Sequence, residues 1–565
     1  MLLGLLLAAC APARARSVPQ SAEPNAPPPI RREFRGVWVA SVANIDWPSR
    51  PGLPVPEQQT ELLTILDRAA ALRMNAIILQ VRPAADALYR SPHEPWSEYL
   101  TGEQGRAPES GHDPLEFAVT EAHRRGLELH AWFNPYRARH PSAHGPNAPG
   151  HLSRTRPELV KTYGRYLWLD PGEPAVQDQT VRVILDVVRR YDIDGVHLDD
   201  YFYPYPETDS ATRQPLPFPD SASYSRYQAA GGRLGRDDWR RDNVDRLVQR
   251  LYREIKEVKP WVRFGISPFS IWRAGFPAEV RGFDPYERLY ADSRKWLMNG
   301  WVDYFAPQLY QPIAHATQAY PILLRWWIEQ NVQDRHIWPG LIPNRVGNPA
   351  RDNWPIGEIL GQINVTRAQP GATGHIHFSM RTFLPSADPP TTPTGEVRDT
   401  VGRPIRRALA DSLRRTTYAE PALVPATPWL GGRAPGQPRI ALTPAAAGES
   451  PTITLHPDGD GVWLWTVRTR WADGGWSTEI VPGWRRTHPL PTRTDPATRP
   501  ERVVVSAVDR LGNEGPTAAL QIRVRPPNKT EQAQCNSAER VIRLPAAAWA
   551  ARSGLAAVRP GAEPF

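Results

Sequence analysis

Several features that would assign a function directly are scarce or missing in this sequence of 565 residues. Its two cysteines, Cys10 and Cys535, lie far apart, so no disulfide framework is implied. Only five of the 68 basic residues are lysines, and the arginines are scattered. The net charge of +9 therefore indicates a solvated, arginine-biased surface rather than a nucleic-acid-binding one. No Gly-rich phosphate turn follows the first predicted strand, which argues against a doubly wound nucleotide-binding sheet.

The composition is that of a folded protein with more than one domain. Hydrophobic residues make up 41% and charged residues 22% of a chain that is too long for one ordinary domain. The 63 prolines and 21 tryptophans exceed average usage, and many aromatic residues fall near predicted strand ends. Aromatic faces at such a rim suit sugar rings, although core packing also accounts for single tryptophans.

The first residues resemble the signal peptide of a bacterial lipoprotein. Met1–Ala9 is almost wholly apolar but too short to cross a bilayer, and Leu7-Ala8-Ala9-Cys10 resembles a lipobox. We expect residues 1–10 to be the signal, with Cys10 the lipidated residue, and residues 11–32 to be a Pro-rich tether. The expected location is the cell envelope, lipid-anchored, on an outer membrane facing the periplasm or on the cell surface.

From Phe34 onwards, strand-like and helix-like runs alternate, which predicts a TIM (β/α)8 barrel over residues 33–417. The eight predicted strands are Phe34–Ser41, Ala76–Pro83, Glu128–Tyr136, Gly195–Tyr201, Arg263–Trp272, Tyr304–Tyr310, His336–Asn344 and Gly374–Met380. Three predicted helices share one start signal, an Asp, a Pro and then a Glu, at Asp113, Asp170 and Asp284. We expect these three aspartates to be structural N-caps.

After the barrel the pattern changes. A Pro/Ala-rich linker is expected at residues 418–437, and residues 438–525 read as all-β, with short strands separated by Gly, Asp and Pro. The run Ala507–Gly515 resembles the last hairpin of fibronectin type III-like sandwiches, so a small fibronectin type III- or Ig-like sandwich is predicted. Residues 526–565 show no consistent pattern and are expected to be a disordered tail.

Two adjacent carboxylates, Asp199 and Asp200, directly follow the fourth predicted strand. A carboxylate has no strand-pairing role there, and the C-terminal ends of barrel strands are where barrel enzymes place their chemistry. Loop capping by the two aspartates is the alternative. Because side chains alternate along a strand, both can serve one site only if the chain bends at Asp200.

Polar and aromatic residues at the other strand ends complete a candidate barrel mouth. The residues expected to bind substrate are Arg82, Asp86, His130, Trp132, Asn134, Arg137, His197, Tyr201, Trp272, Gln308 and Tyr310. Such a rim suits a neutral, polyhydroxylated substrate. Glycoside hydrolysis needs two carboxyl groups, for which Asp199 and Asp200 are the candidates, with Asp86 or Asp46 in reserve.

No metal or cofactor is predicted. His130, His197 and His377 lie on three strands without a paired carboxylate motif, which favours structural histidines over metal ligands. Arg82 and Arg137 have two open roles: binding a substrate carboxylate, such as the lactyl group of muramic acid, or orienting the aspartates. We expect Asp199 to lie near Arg82 and Asn134, with Arg82 keeping its neighbouring carboxylate ionised.

Six ordered motifs carry a resemblance to the bacterial glycosyl-hydrolase-like lipoproteins of the YddW/YngK type. They begin at Phe34 (Phe-Arg-Gly-Val-Trp-Val), Val81 (Val-Arg-Pro-Ala-Ala-Asp-Ala-Leu-Tyr), His130 (His-Ala-Trp-Phe-Asn-Pro-Tyr-Arg), Trp168 (Trp-Leu-Asp-Pro-Gly), Gly195 (Gly-Val-His-Leu-Asp-Asp-Tyr-Phe-Tyr-Pro) and Gly265 (Gly-Ile-Ser-Pro-Phe). The resemblance implies a TIM-barrel glycosidase of the cell envelope, in a family of which at least one member acts on peptidoglycan glycan strands stripped of peptide. It points to Asp199 and Asp200 as the acidic centre without settling their individual roles.

Other functions stay open from the sequence. One is a hydrolase of another extracellular polysaccharide, and another is a glycan-binding lipoprotein without catalysis. A third is an adhesion or scaffold protein whose affinity resides in the all-β region. The partners expected are a glycan substrate and, through the lipid only, a membrane; no nucleic acid is expected, and the sequence does not indicate an oligomeric state.

Overall fold

A curled, parallel β-sheet forms the centre of the computed structural model, which describes residues 26–209, 211–384, 402–443, 450–491 and 499–522. Its strands are β1 (Phe34–Val39), β2 (Ala76–Arg82), β3 (Glu128–Phe133), β4 (Gly195–Leu198), β5 (Arg263–Ile266), β6 (Tyr304–Phe305), β7 (in two pieces, His336–Ile337 and Gly340–Leu341) and β8 (Gly374–His377). Each begins at the residue predicted from the sequence.

The sheet returns to its own first strand. Its order is β7 (first piece), β6, β5, β4, β3, β2, β1, β8 and β7 (second piece), and every neighbouring pair is parallel. Tyr304 pairs with His336 in the first piece of β7, and Ile376 pairs with Gly340 in the second. The two sheet edges are therefore consecutive pieces of one strand, as in a TIM-barrel-like sheet.

Helices connect the strands and cover the outside of the sheet. The longer ones are Val55–Ala71, Pro114–Arg124, Pro174–Arg190, Ser221–Ala229, Arg236–Val258, Tyr320–Glu329, Ile356–Ala368 and Gly402–Ser412, and the shorter ones are Glu98–Thr101, Leu152–Thr155, Pro285–Arg288 and Ser293–Met298. Along each strand, alternate residues face either these helices or the sheet interior, where bulky side chains pack on one another. The interior set includes Phe34, Trp38, Ile78, Trp132, Tyr304, Trp338 and Ile376.

All eight strands end before the predicted residue, and in β5 and β6 a proline interrupts the strand. β5 ends at Ile266, before Pro268, and β6 ends at Phe305, before Pro307. Proline has no N–H to donate to a neighbouring strand, so the ladder cannot continue. The residues that follow, including Gln308, leave the sheet and enter the loops around its C-terminal end.

Two of the three predicted helix caps are confirmed. The Asp113 side chain accepts hydrogen bonds from the amides of Leu115 and Glu116, and Asp284 accepts from that of Glu287. The prediction for Asp170 is wrong, because its helix begins at Pro174, the second of two prolines that follow. Asp170 is buried instead, and accepts from the Ser223 hydroxyl at 2.7 Å.

An all-β region follows the barrel. Its strands are Arg439–Thr443, Thr452–His456, Leu464–Trp471, Trp476–Pro482, Thr487–Pro489, Pro500–Val508 and Ala518–Gln521, arranged in one three-stranded and one four-stranded sheet. The chain forms one compact unit up to Leu520, and only residues 521 and 522 of the second unit are described.

The segment predicted as a linker is folded against the N-terminal end of the sheet, which we call its floor. Ala422–Leu423 pairs in parallel with Arg31–Arg32. The fully buried Thr427 accepts a hydrogen bond from Arg263 of β5 at 2.9 Å, and the Trp429 indole donates to Asp303 at 2.8 Å. These contacts make the segment part of the barrel base rather than a spacer.

Some expectations fall outside the part of the chain that the structure describes. These are lipidation of Cys10, the signal residues 1–10, most of the tether and the tail 526–565. Among the described residues, no helix is both long and apolar enough to span a bilayer.

The all-β region is joined to the barrel by a buried ion pair at the start of β4. Arg510 Nε donates to Asp194 Oδ1 at 2.8 Å, and the Asp194 side chain has no exposed surface. His123 lies 2.9 Å from the second carboxylate oxygen, which also accepts from the Leu129 amide at 2.8 Å.

We expect Arg510→Met to destabilise the protein, since it removes a guanidinium that is ion-paired with a buried carboxylate. Breaking a buried pair costs about 3–5 kcal/mol. The measurement is urea unfolding followed by tryptophan fluorescence, with Arg439→Met, at an exposed arginine of the same region, as the matched control. The control should change stability by no more than about 0.5 kcal/mol. Equal stability of the two variants would contradict the structural role of this pair.

Candidate active site

Asp199 lies at the C-terminal end of β4, facing the sheet interior. The pairing of Trp132 with His197 places the end of β3 beside it. Trp132 Nε1 donates to Asp199 Oδ2 at 3.1 Å, and Asn134 Nδ2 lies 3.1 and 3.2 Å from its two oxygens. The carboxyl group is 3% exposed, so its position is fixed by two neutral donors in a buried setting.

Asp200 turns towards β6 rather than towards an outer helix. Gln308, just beyond β6, donates to Asp200 Oδ1 at 2.8 Å, and the Tyr205 hydroxyl donates to Oδ2. A small cavity beside Asp200 is lined by Phe202, Phe269 and Trp296, among others. The chain bends after Asp199, so consecutive residues present both carboxyl groups at the same mouth.

Arg137 supplies the positive charge near this pair. Its strand, Arg137–Arg139, pairs with Tyr166–Leu169, and its Nε donates to the Pro83 carbonyl at 2.9 Å. The guanidinium lies over the Tyr201 ring, 5.3 Å from the centroid. Its terminal N–H groups make no hydrogen bond or ion pair with any residue that the structure describes.

Burial and charge together set the protonation of the two carboxyl groups. Burial, together with the charge of Asp200, raises the pKa of Asp199 to about 7, although the charge of Arg137 opposes the increase. Burial also raises the pKa of Asp200, against the hydrogen bonds from Tyr205 and Gln308. The pair is thus arranged to retain a proton near neutral pH, a property of catalytic carboxylates.

Arg82 is not the partner of Asp199, contrary to expectation. It is fully buried and paired with Glu94 through two contacts of 2.5 and 2.7 Å. Its remaining donors bind the carbonyls of Asn134 and Pro135. Arg82 therefore positions the loop that carries Asn134. Glu94 lies in an irregular loop without periodicity, so the sequence offered no signal for this pair.

The two reserve carboxylates have hydrogen-bond partners of their own. Asp46 accepts from the Ala40 amide at 2.8 Å and the Ser379 hydroxyl at 2.6 Å. Asp86 accepts from the Ala84 amide at 3.1 Å and the Gln104 amide group at 3.2 Å. Burial raises the pKa of each to about 6, but neither is hydrogen-bonded to Asp199 or Asp200.

His130 and His197 lie below the mouth in a directional chain of hydrogen bonds. Trp38 Nε1 donates to His197 Nε2 at 3.1 Å, so the hydrogen of His197 is on Nδ1, 3.0 Å from the Tyr304 hydroxyl. That hydroxyl can then donate to His130 Nδ1, also at 3.0 Å, while His130 Nε2 faces Glu128 at 3.2 Å. Burial keeps the pKa of His197 well below its usual value. Neither histidine has exposed surface to offer a ligand.

His377, the third candidate histidine, does not belong to this chain of hydrogen bonds. His377 faces the outside of the sheet, where its Nε2 lies 2.8 Å from the Tyr418 hydroxyl. Within the described residues no group of three His, Cys, Asp or Glu side chains is arranged to hold a metal ion.

The predicted aromatic residues divide into two groups. Trp272 donates to Asp292 at 3.0 Å and packs among Phe276, Tyr286 and Trp326, which places it in the outer part of its loop. Tyr310 and Tyr201 are half-buried, and the charge of Asp200 acts on both hydroxyl groups. These two tyrosines, not Trp272, are beside the carboxyl pair.

Comparison with known sequences identifies a protein family and individual relatives. The sequence model of the family described as Glycosyl hydrolase-like 10 matches residues 33–355. Glycosyl hydrolase YngK of Bacillus subtilis strain 168 is 39% identical over 505 residues, covering 86% of this chain and 92% of the relative. Glycosyl hydrolase DigH of Escherichia coli strain K12 is 33% identical over 407 residues, covering 66% of this chain and 90% of the relative.

Solved structures are more distant. The glycoside hydrolase domain of PgaB (BpsB) from Bordetella bronchiseptica aligns over 65% of this chain and 97% of its own, at 15% identity and a TM-score of 0.39. The catalytic domain of β-amylase from Paenibacillus polymyxa aligns over 62% and 94%, at 10% identity and a TM-score of 0.40. Because both TM-scores are below 0.5, the description of the fold depends on the strand pairing alone.

The burial of Asp199 predicts a pH-dependent stability. Its folded pKa of about 7 exceeds the unfolded value of about 3.9. Its contribution is therefore fully present below about pH 4 and is lost as pH rises through about 7. We expect Asp199→Asn, which cannot ionise, to raise the melting temperature over the wild type at pH 8 much more than at pH 4.

Thermal unfolding by circular dichroism at both pH values measures this difference, and Asp411→Asn, at an exposed carboxylate, is the matched control. A difference for Asp199→Asn that stays constant between pH 4 and 8 would rule out the raised pKa.

Proposed function

This chain belongs to the glycosyl hydrolase-like 10 family and is a glycoside hydrolase, and we propose that it cleaves peptidoglycan-derived glycan strands with Asp199 and Asp200. The observation that carries the proposal is the buried carboxyl pair at the C-terminal end of β4, which retains a proton near neutral pH. Glycosidic bond hydrolysis requires one protonated and one ionised carboxyl group at the same bond.

The roles of the two groups follow from their surroundings. We assign the proton that the pair shares to Asp199, whose pKa is raised to about 7 by burial and by the charge of Asp200. Asp199 is then the general acid that protonates the leaving oxygen. Asp200, which accepts hydrogen bonds from Tyr205 and Gln308, is the ionised partner that acts as nucleophile or base.

The position of Arg137 favours a substrate glycan that carries carboxylate groups. Its guanidinium is fixed by Pro83 and Tyr201, while its terminal N–H groups have no partner among the described residues. A planar guanidinium binds a carboxylate through two parallel hydrogen bonds. The lactyl group of muramic acid provides such a carboxylate in an otherwise neutral amino-sugar polymer. An extracellular polysaccharide without carboxylates would leave these donors unused.

The envelope location and the fold of the all-β region belong to the same proposal. The lipobox-like run ending at Cys10 supports a lipid anchor, which would place the enzyme beside the cell wall. A three-stranded antiparallel sheet and a four-stranded sheet support a fibronectin type III-like sandwich for residues 438–525.

We expect Cys10→Ser to release the full-length protein, expressed in a bacterium, from the membrane fraction, because the thiol that would carry the lipid is gone. Immunoblotting of membrane and soluble fractions, with metabolic labelling by a radioactive fatty acid, measures this. Labelling and membrane association that survive the substitution would refute the anchor.

Asp199→Asn and Asp200→Asn should each lower kcat on peptide-free glycan strands by about 100- to 10,000-fold, because an acid or base group typically contributes that much. Mass spectrometry of released fragments measures turnover and identifies the bond. On an aryl glycoside, whose leaving group needs no protonation, Asp199→Asn should recover activity and Asp200→Asn should not.

Asp86→Asn is the matched control, since that carboxyl group is also buried but bound within its own loop. Unchanged turnover in both active-site variants would overturn the assignment. Cleavage of other polysaccharides but not of peptidoglycan glycan would leave a hydrolase with a different substrate.

A further inference from the structure

Four aromatic rings form a contiguous cluster at the rim, beside the carboxyl pair. Tyr201 and Tyr205 have ring centroids 5.4 Å apart, Tyr205 and Phe283 are 5.5 Å apart, and Phe283 and Phe269 are 5.4 Å apart. Tyr205 also lies 6.5 Å from Phe269. We name Tyr201, Tyr205, Phe269 and Phe283 the aromatic strip.

The strip differs from the core aromatics beside it. Phe202 and Tyr203, from the same run of sequence, are each 1% exposed and pack beneath the rim. All four strip residues are only half-buried, and they lie in the loops that follow β4 and β5. A contiguous apolar surface that stays accessible beside a polar site marks a binding surface rather than packing alone.

The strip begins at the reacting groups. The Tyr205 hydroxyl donates to Asp200, the Arg137 guanidinium lies over Tyr201, and Phe269 lines the same small cavity as Asp200. A sugar ring placed at the carboxyl pair therefore has the strip along one side. The next sugars of the same chain can lie over Phe283 and Phe269.

We propose that the aromatic strip binds the sugar units that extend beyond the cleaved bond, so that this enzyme selects long glycan chains over short ones. Sugar rings have apolar C–H faces that pack on aromatic rings, and the hydroxyl of Tyr205 adds a polar end beside the bond. Phe283 determines chain-length specificity, because it joins the strip through Tyr205 and Phe269. Unlike Tyr205 it does not bond to Asp200, and unlike Phe269 it does not line the cavity beside that residue. The inference rests on the proposed function and adds a preference for polymeric substrate.

The test compares kcat/KM on peptide-free glycan oligosaccharides of increasing length, from the disaccharide upwards. In the wild type, kcat/KM should rise with length until the strip is filled. Phe283→Ala should lower it by about fivefold to thirtyfold on long chains, the usual effect of losing an aromatic contact, and leave the shortest cleaved substrate unchanged. Phe283→Tyr, which keeps the ring, should retain the length dependence.

Phe276→Ala is the matched control, since this phenylalanine is 46% exposed in the same loop but packs on Trp272 instead of the strip. The proposal is overturned if the wild type shows no length dependence or if Phe283→Ala and Phe276→Ala behave alike. An equal loss on all lengths in Phe283→Ala also overturns it, because that result indicates disturbed carboxyl groups.

A binding measurement separates this inference from the proposed function. If the wild type cleaves none of these glycans, the proposed substrate fails. Calorimetric titration of the same oligosaccharides into Asp199→Asn and Asp199→Asn/Phe283→Ala then tests, independently of cleavage, whether the strip binds glycan. Length-dependent affinity that disappears with Phe283 supports it, and equal or absent affinity in both variants refutes it.

Discussion

The carboxylate of Asp194 fixes the beginning of β4, and the position of the candidate active site depends on it. β4 has four residues, too few to hold its register alone. Burial would raise the pKa of Asp194, but Arg510 and His123 hold it well below its usual range, so the group is ionised and bound to three other segments. The all-β region, which supplies Arg510, therefore stabilises the strand that carries the candidate carboxyl groups.

From the floor to the mouth, the sheet interior is connected by polar contacts. Glu128 accepts from Arg263 at 3.0 Å at the floor, and the chain through His130, Tyr304 and His197 rises from it. Every donor in this chain meets one acceptor, which satisfies buried polar groups that would otherwise cost free energy. The same contacts orient His197, two residues before Asp199, so one continuous set of hydrogen bonds joins the floor to the mouth.

At the mouth, burying two neighbouring carboxyl groups costs electrostatic free energy, which residues with a purely structural role would not need to incur. Two carboxyl groups are buried beside each other, and the nearby guanidinium of Arg137 forms no ion pair with either. Replacing such groups usually stabilises a protein, and they are retained where chemistry needs them. The aromatic strip, half-buried next to Asp200, fits the same interpretation.

Local patterns in the sequence determined where each of the eight strands begins, two helix caps and the placement of Asp199 and Asp200 after β4, because these depend on periodicities of two and 3.6 residues and on adjacent residues. Only the tertiary structure decided which charged side chains pair with each other. Arg82 pairs with Glu94 rather than Asp199, and Arg510 reaches Asp194 from more than three hundred positions away. Such choices depend on distances in space between loops, which no periodicity encodes, and for that reason the protonation of the candidate site became apparent only in the folded chain.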